Sequence, residues 1–314
     1  MSIIATHLTK KYGEFEAVKS VSFEIRTGEV VGFLGPNGAG KTTTMKMLTG
    51  ILKPSAGSAT INGADLLSET DRVRQLIGFL PENNPLYTDL TVTEYLAYSA
   101  EVTGVPKEKI TSRLSDMIDV CGLSAVFRKP IGTLSKGYRQ RVGLAQSLIH
   151  DPAVLILDEP TTGLDPNQIQ EIRDLIRELG KEKTVLLSTH ILQEVEAICN
   201  RVLIINNGNL VADGTPGELQ IRFQGGTSFL LEFLGSLEGF QVKFRSVFPE
   251  VPMEVLSVGQ EDLPNTIKFT TINDHRFSQR LFRFCADQQI DVLQLYRQDT
   301  NLEDIFRQLT VSPN

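Results

Sequence analysis

The stretch Gly35-Pro-Asn-Gly-Ala-Gly-Lys-Thr42 decides the fold, because it matches the pattern G-x-x-x-x-G-K-[ST] at every position. It directly follows the apolar run Val30–Leu34 and precedes a helical run, Thr42 to Leu48. Glycines in such a loop allow successive backbone N–H groups to converge on phosphate oxygens, and the following helix N-terminus adds a favourable field. Because strand, loop and helix come in this order, the sequence predicts a phosphate-binding loop rather than a chance glycine-rich turn.

Two side chains of this loop have individual roles. We expect Lys41 to contact the β- and γ-phosphates of a nucleotide and the Thr42 hydroxyl to ligate Mg²⁺. The candidate nucleotide-binding residues of the loop are Gly35, Pro36, Asn37, Gly38, Ala39, Gly40, Lys41, Thr42 and Thr43.

A second apolar run, Ala153 to Leu157, ends in Asp158 and Glu159. A buried strand of this kind delivers the residues that follow it to the carboxyl edge of an open α/β sheet, where ligands bind. We expect Asp158 to hold Mg²⁺ through water and Glu159 to polarise the water that attacks the nucleotide. The alternative, a solvated acidic pair at a strand end, is disfavoured by the phosphate-binding loop upstream.

The pattern of apolar runs predicts the fold class. Residues 1–222 alternate such runs with helical-period segments, which is typical of an α/β domain with a mainly parallel sheet. Continuous apolar runs indicate strands covered on both faces; they are Val30–Leu34, Ile77–Leu80, Val154–Leu157, Val185–Leu187 and Val202–Ile205. Ile3–Leu8 and Val21–Ile25 alternate instead, which predicts an antiparallel subsheet.

Two helices are also predicted. One has Asp165 as its N-cap, Pro166 at its first position and Gly180 beyond its last turn. The other runs from Ile110 to Cys121.

The composition changes around residues 223–227. Residues 228–314 lack phosphate-binding features, and we interpret them as a small α+β domain with the order β, β, β, helix, β, helix. Its clearest pieces are Phe229–Phe233, Ile267–Thr271, Arg276–Asp287 and Val292–Tyr296.

Composition limits the class of protein. The chain has 314 residues, a net charge of −7 and a pI near 5.3, so no nucleic-acid partner is expected. Its three cysteines are far apart, which favours free thiols in a reducing cytosol. Apolar runs fall far short of the roughly 20 residues that a bilayer requires. Any membrane attachment should therefore depend on a protein partner.

Leu134-Ser-Lys-Gly-Tyr-Arg-Gln-Arg141 resembles the signature motif of ABC ATPases, and other marks of that family follow in order. Thr162–Asp165 resembles the D-loop, His190 the switch histidine and Tyr12 the aromatic that stacks on adenine. The resemblance covers roughly the first 220 residues. It implies a P-loop NTPase fold with an antiparallel β subdomain and a helical subdomain, ATP and Mg²⁺ as ligands, and ATP hydrolysis.

Some histidines and aromatics have a structural alternative. Tyr12 can be a packed aromatic and His190 a hydrogen-bonded core histidine, although their positions favour the adenine and the γ-phosphate. His7, His150 and His275 have no partners in view, and we expect them to be structural or exposed.

Ser135 and Gly137 open a predicted helix that runs to about Ile149, so its N–H groups form an anion site. A second phosphate site on one chain is redundant unless it serves the nucleotide of another molecule. The family resemblance implies a head-to-tail homodimer with two ATPs between loop and signature, so that binding closes the dimer and hydrolysis releases it.

The chain departs from the family pattern in two places. The signature is usually LSGGQ, whereas Lys136 here either adds a positive charge near phosphate or points to solvent, which we favour. The glutamine usually found after Ile-Gly-Phe-Leu is replaced by Glu82. A carboxylate there remains able to ligate Mg²⁺ or its water.

The resemblance also implies a membrane partner. The family docks its permease between Glu82 and Leu134, where an apolar set suits a short helix in a groove: Tyr87, Leu90, Tyr95, Leu96 and Tyr98. The alternative is that these residues form the core of the helical subdomain.

The chain most resembles type-2 exporter ATPases and, within them, the subunits associated with gliding motility. Such a subunit is cytoplasmic, peripheral on the inner face of the membrane, pairs with a separate six-helix permease and uses its C-terminal domain for dimerisation or regulation. The competing hypotheses are a soluble ABC ATPase that acts on ribosomes or DNA, and a module that senses ATP without turnover. Glu159 and His190 argue against the latter, because both hydrolytic positions are filled.

Overall fold

The computed structural model describes residues 2–223, 227–259, 263–271, 276–298 and 302–310. These residues form two compact units. The first extends to Pro216 and includes Leu309 and Thr310, and the second is Gly217–Gln308. The sequence predicted the boundary between residues 222 and 228, a few residues later. Residues 224–226 of that segment are outside the described ranges.

The first unit has ten described strands and seven α-helices. The strands are β1 Ile3–Tyr12, β2 Phe15–Ile25, β3 Val30–Leu34, β4 Ala56–Ile61, β5 Ala64–Asp65, β6 Ile77–Leu80, β7 Val154–Asp158, β8 Thr184–Thr189, β9 Arg201–Asn206 and β10 Asn209–Gly214. The helices are α1 Lys41–Leu48, α2 Thr70–Leu76, α3 Val92–Val102, α4 Lys107–Val120, α5 Lys136–Leu148, α6 Pro166–Leu179 and α7 Leu192–Ile198.

A six-stranded sheet with the order β10-β9-β3-β8-β7-β6 forms the centre of this unit. All pairings among β9, β3, β8, β7 and β6 are parallel, and only β10 is antiparallel. Every residue of β3, β7 and β8 is buried, as expected for strands covered on both faces. The predicted parallel sheet is confirmed.

The predicted antiparallel subsheet is also confirmed, with the order β2-β1-β4-β5. Its apolar face shares one core with the parallel sheet and with α1. Phe23 of β2 packs against Phe33 of β3 with 5.8 Å between ring centroids, and Met45 of α1 is fully buried. This packing holds the phosphate loop, which joins β3 to α1, against a rigid support.

Helix α6 begins and ends as predicted. The Asp165 carboxylate accepts a hydrogen bond from the Gln168 N–H at 2.9 Å, Pro166 occupies the first turn and Gly180 is the C-cap. Among the described residues, no helix is long and apolar enough to cross a membrane.

The apolar residues predicted to dock a permease lie in or beside the helical subdomain, α3 to α5, and only some of them are exposed. Tyr95 and Leu96 are buried, and the Tyr95 hydroxyl donates to Gln146 Oε1 at 2.9 Å, so these two residues belong to the core. Tyr87 and Tyr98 are 55% and 46% exposed, with 5.7 Å between their ring centroids. Leu90 is half-buried.

Beyond β10, the elements that lie wholly or mostly in the second unit are α8 Pro216–Phe223, β11 Thr227–Leu234, α9 Leu237–Val247, β12 Met253–Ser257, β13 Asn265–Thr271, α10 Phe277–Asp287, β14 Asp291–Gln298 and α11 Leu302–Thr310. Its sheet has the order β12-β13-β11-β14 and is antiparallel throughout. From β11 to β14 the order is β, α, β, β, α, β, the ferredoxin-like arrangement.

The predicted element order of this unit was wrong in one respect, since it lacked α9. Ser236 caps this helix by accepting from the Gly239 N–H, and Phe240 and Phe244 lie one turn apart on its buried face. That spacing is the helical period, which the aromatic, strand-favouring composition of the segment concealed.

Candidate active site

A cavity of about 540 Å³ in the first unit gathers most of the predicted site residues. Its lining contains Tyr12, Asn37, Gly38, Gly40, Lys41, Thr42, Thr43, Glu82, Glu159 and His190. Thr162, from the segment that resembles the D-loop, also lines it, as do two residues that sequence reasoning missed, Phe15 and Ala17. Gly35, Pro36 and Ala39 lie in the same loop but not in the lining.

The loop conformation requires glycine at Gly40. Its φ is +109°, and a Cβ there would lie 2.6 Å from the Ala17 carbonyl oxygen. Gly38 also has a positive φ, +80°. These conformations exclude ordinary side chains and leave the start of α1 open toward the cavity.

Lys41 lies at the start of α1 and its side chain is only 6% exposed. Its ammonium donates to the carbonyl oxygens of Gly35 at 2.8 Å and Pro36 at 3.4 Å. It also forms an ion pair with Glu159 Oε1 at 3.3 Å. The loop thus holds a buried cation beside the Glu159 carboxylate, and a cation in this position suits the binding of phosphate charge.

Glu159 follows β7 in a left-handed conformation with φ of +50°, which is uncommon for a residue with a side chain. Its N–H donates to Ser188 Oγ at 3.0 Å. Its Oε2 atom accepts from Thr162 Oγ1 at 3.2 Å and lies 2.9 Å from His190 Nδ1. Since an ionised carboxylate only accepts, this contact is a hydrogen bond in the tautomer whose Nδ1 atom carries the proton.

Asp158 lies behind the cavity at the end of β7 and is 1% exposed. Its Oδ1 atom accepts from Ser188 Oγ at 2.5 Å and from Thr42 Oγ1 at 3.3 Å. Its Oδ2 atom is buried without a partner among the described residues. An orphaned carboxylate oxygen beside the Thr42 hydroxyl suits Mg²⁺ or its water.

The described residues contain no group of three or more His, Cys, Asp or Glu side chains that could hold a metal by themselves. Mg²⁺ is usually held by one or two carboxylates together with substrate phosphates. Glu82 is exposed and lines the same cavity as Thr42. It also lines a neighbouring cavity of about 440 Å³ together with Lys136 and Arg139.

Two aromatic side chains border the cavity at the end of the β1–β2 hairpin. Tyr12 and Phe15 are directly opposed across the strands and are 51% and 65% exposed. Exposed aromatic rings suit stacking with a purine base, and Lys10 Nζ lies over the Tyr12 ring, 5.5 Å from its centroid. The sequence analysis did not predict Phe15 as a site residue. Its position across the turn from Tyr12 was the feature that could have indicated it.

Ser135 and Gly137 line a different cavity, of about 510 Å³. Ser135 is the N-cap of α5 and accepts from the Tyr138 N–H at 3.4 Å. A Cβ on Gly137 would lie 2.6 Å from Gln168 Cδ, so this position tolerates only glycine without rearrangement. Lys136 is exposed, as expected, although its ammonium lies close to Gly163.

The remaining histidines and cysteines have structural surroundings. His7 is exposed with Nδ1 3.0 Å from Ser20 Oγ, and His150 Nε2 lies 3.1 Å from the Ile77 carbonyl oxygen. His275 is outside the described residues. The three cysteines are free thiols, as the sequence predicted, and the structure shows that all three are buried: Cys121, Cys199 and Cys285.

Comparison with known proteins gives consistent results. Residues 18–162 match the family model described as ABC transporter. The linearmycin resistance ATP-binding protein of Bacillus subtilis (strain 168) is 33% identical over 307 residues, which cover 98% of this chain and 97% of that protein. The bacitracin transport ATP-binding protein of Bacillus licheniformis is 33% identical over 315 residues, which cover 98% of this chain and 96% of that protein.

Solved structures show the same likeness. An ATP-binding subunit of an ABC transporter has a TM-score of 0.66 and 30% identity, covering 77% of this chain and 99% of that one. A dimeric ATP-binding cassette in a post-hydrolysis state, bound to ADP and Pi, has a TM-score of 0.62 and 25% identity, covering 68% and 98%. With its phosphate loop, buried Asp158 and Glu159 in place, the chain therefore belongs to the ABC transporter family as an ATP-binding and ATP-hydrolysing subunit.

Proposed function

We propose that the chain powers an exporter, with two copies closing head to tail on two ATPs and driving a separate membrane permease. The observation that carries this proposal is the presence of two helix N-termini suited to phosphate in two different cavities, at Gly40 and at Ser135. One chain cannot bring both to a single nucleotide, whereas two copies facing each other can. ATP binding then closes the dimer, and this closure is the conformational change that drives the permease.

The residues of the first cavity have defined roles in hydrolysis. The phosphate loop and Lys41 hold the β- and γ-phosphates, and Tyr12 stacks on adenine. Glu159 accepts a hydrogen bond from the attacking water and orients it, while His190 holds the Glu159 carboxylate and faces the γ-phosphate. Mg²⁺, held by Thr42, Asp158 and Glu82, would neutralise phosphate charge. Ser135 and Gly137 bind the γ-phosphate of the partner copy.

Export and membrane attachment are supported by relatives. Their names refer to linearmycin resistance, to bacitracin transport and, for a 41% identical protein of Ralstonia nicotianae, to Nod factor export. The chain would therefore sit on the inner face of the membrane through a permease, with the exposed Tyr87 and Tyr98 available for docking. The resemblance to gliding-motility subunits stays a prediction. Cargo choice belongs to the permease.

The central test is Glu159→Gln with ATP and Mg²⁺. Without the carboxylate, hydrolysis stops after closure, so analytical ultracentrifugation should show a stable ATP-bound dimer and turnover should be lost. Glu182→Gln is the matched control, because Glu182 is exposed beyond α6. Turnover at the wild-type rate in Glu159→Gln would remove Glu159 from its role, and a monomer under all conditions would reject dimer closure.

The same assay tests a dimerisation role for residues 228–314, which we propose strengthen the homodimer. A chain that ends at residue 227 should associate more weakly, and unchanged association rejects the role.

Purification of the tagged full chain from membranes should recover a permease. Recovery with ribosomes or DNA instead would favour a non-transport ATPase.

A further inference from the structure

Glu194 on α7 has a buried carboxylate that nucleotide binding does not explain. The residue is 1% exposed and is absent from the lining of the nucleotide cavity. A carboxylate buried in this way is costly unless hydrogen bonds and nearby positive charge compensate it. The groups that compensate it therefore indicate what it does.

Two threonine hydroxyls donate to the two carboxylate oxygens. Thr161 Oγ1 donates a short hydrogen bond to Oε1, and Thr189 Oγ1 donates to Oε2 at 2.7 Å. The Thr189 hydroxyl also accepts from the Ile191 N–H at 3.0 Å, so its own proton is directed to Glu194. The Arg173 guanidinium of α6 lies 4.0 Å from Oε1 and supplies the positive charge.

These threonines flank the hydrolytic pair. Thr161 follows Glu159 by two residues, and Thr189 directly precedes His190. Both are fully or almost fully buried, at 3% and 0% exposure, at the ends of the neighbouring parallel strands β7 and β8. Because Glu159 contacts His190 directly, three hydrogen bonds and two backbone segments together close a ring. The backbone segments are Glu159-Pro160-Thr161 and Thr189-His190.

We propose that Glu194 is a positioning residue for ATP hydrolysis. By tying the segments after β7 and β8 together, it fixes the separation of the Glu159 carboxylate and the His190 ring. It touches neither nucleotide nor attacking water. The proposal rests on the roles proposed above for Glu159 and His190 in hydrolysis, and it is independent of whether the subunit serves an exporter.

Thr189→Val tests this, because valine keeps the shape of threonine and removes the donor. We expect kcat to fall about tenfold or more, since small displacements of reacting groups are costly. KM for ATP and the binding affinity for ATP should not change, because the phosphate loop is untouched. Thr161→Val should behave alike, and Thr189→Ser, which restores the hydroxyl, should recover kcat.

Thr184→Val is the matched control, at the opposite end of the same strand. Thr184 is 1% exposed and its hydroxyl accepts from the Gly28 N–H at 3.0 Å, so the variant also loses a buried hydrogen bond. It should lower stability and leave kcat unchanged. A wild-type kcat in Thr189→Val, or an equal loss in Thr184→Val, would overturn the proposal.

The same substitution made in a His190→Ala variant distinguishes a positioning role of Thr189 from a general contribution to the structure. In His190→Ala, measured under single-turnover conditions, adding Thr189→Val should cause no further loss, because the group it positions is gone. A full additional loss there would show that Thr189 acts elsewhere and overturn the assignment. Should Thr189→Val not fold, Glu194→Gln, which preserves side-chain volume, carries the same expectations.

Discussion

The first unit buries charged side chains at the carboxyl ends of its parallel strands, whereas the described residues of the second unit bury none. In the first unit the buried charged side chains are those of Lys41, Asp158, Glu159 and Glu194, none of them more than 7% exposed. In the second, the buried polar side chains are neutral, namely Ser228, Asn265 and Thr271. Buried charge is a cost to stability, so its concentration at one sheet edge marks where chemistry is carried out.

The second unit instead buries aromatic rings. Phe244 of α9 lies 4.6 Å from Phe269 and 5.7 Å from Phe240, centroid to centroid, and Phe240 stacks on Phe233 at 4.5 Å. Such pairs contribute about 0.5–1.5 kcal/mol beyond the area they bury. Its described core is therefore organised for stability, and the comparison predicts opposite responses to mutation in the two units.

The largest expected effect is on the stability of the second unit. Phe244→Ala should lower its free energy of unfolding by about 3–5 kcal/mol, because a buried ring is replaced by a cavity. Urea denaturation measures this, and the kcat for ATP should not change. Val242→Ala on the same helix is the control, since Val242 is 72% exposed. A parallel loss of kcat and stability would break the separation between the units.

A smaller effect, of the opposite kind, is expected in the first unit. Lys41→Met should weaken ATP binding by about 1.5–3 kcal/mol, the contribution of a hydrogen bond to a charged group. Isothermal titration calorimetry measures the affinity. Lys46→Met on the exposed side of α1 is the control, and an equal loss of affinity there would contradict the assignment.

The smallest effect is a pH dependence of the first unit. Burial lowers the pKa of His150 below its ordinary value near 6.5, although the Ile77 carbonyl opposes this. The unfolded chain therefore takes up a proton before the folded one, so stability is full above pH 6.5 and falls as the pH drops from there to the lowered pKa. The slope should stay below about 1.4 kcal/mol per pH unit.

His150→Gln should remove that slope. Urea denaturation at pH values on both sides of the window measures it. A wild-type slope in the variant would assign the titration to another group.

Strands and the phosphate loop could be predicted because they depend on local pattern. Val30–Leu34 was predicted with the bounds that the structure shows, because a fully apolar run directly before a glycine-rich loop indicates a buried strand. Helix α9 was missed because its phenylalanines favour strands by composition, and only their spacing indicates a helix. Phe15 was missed because a residue opposite Tyr12 becomes relevant only when the hairpin register is known.

The sequence by itself determined the parallel sheet, the phosphate loop and the acidic pair, because contiguous residues carry each of them. Only the tertiary structure decided which aromatic residues are core, that Ser135 and Gly137 lie in a separate cavity from Lys41, and that Glu194 joins the segments carrying Glu159 and His190. These relations connect residues about 30 to 100 positions apart. They follow from how strands are ordered in the sheet, which no local pattern encodes.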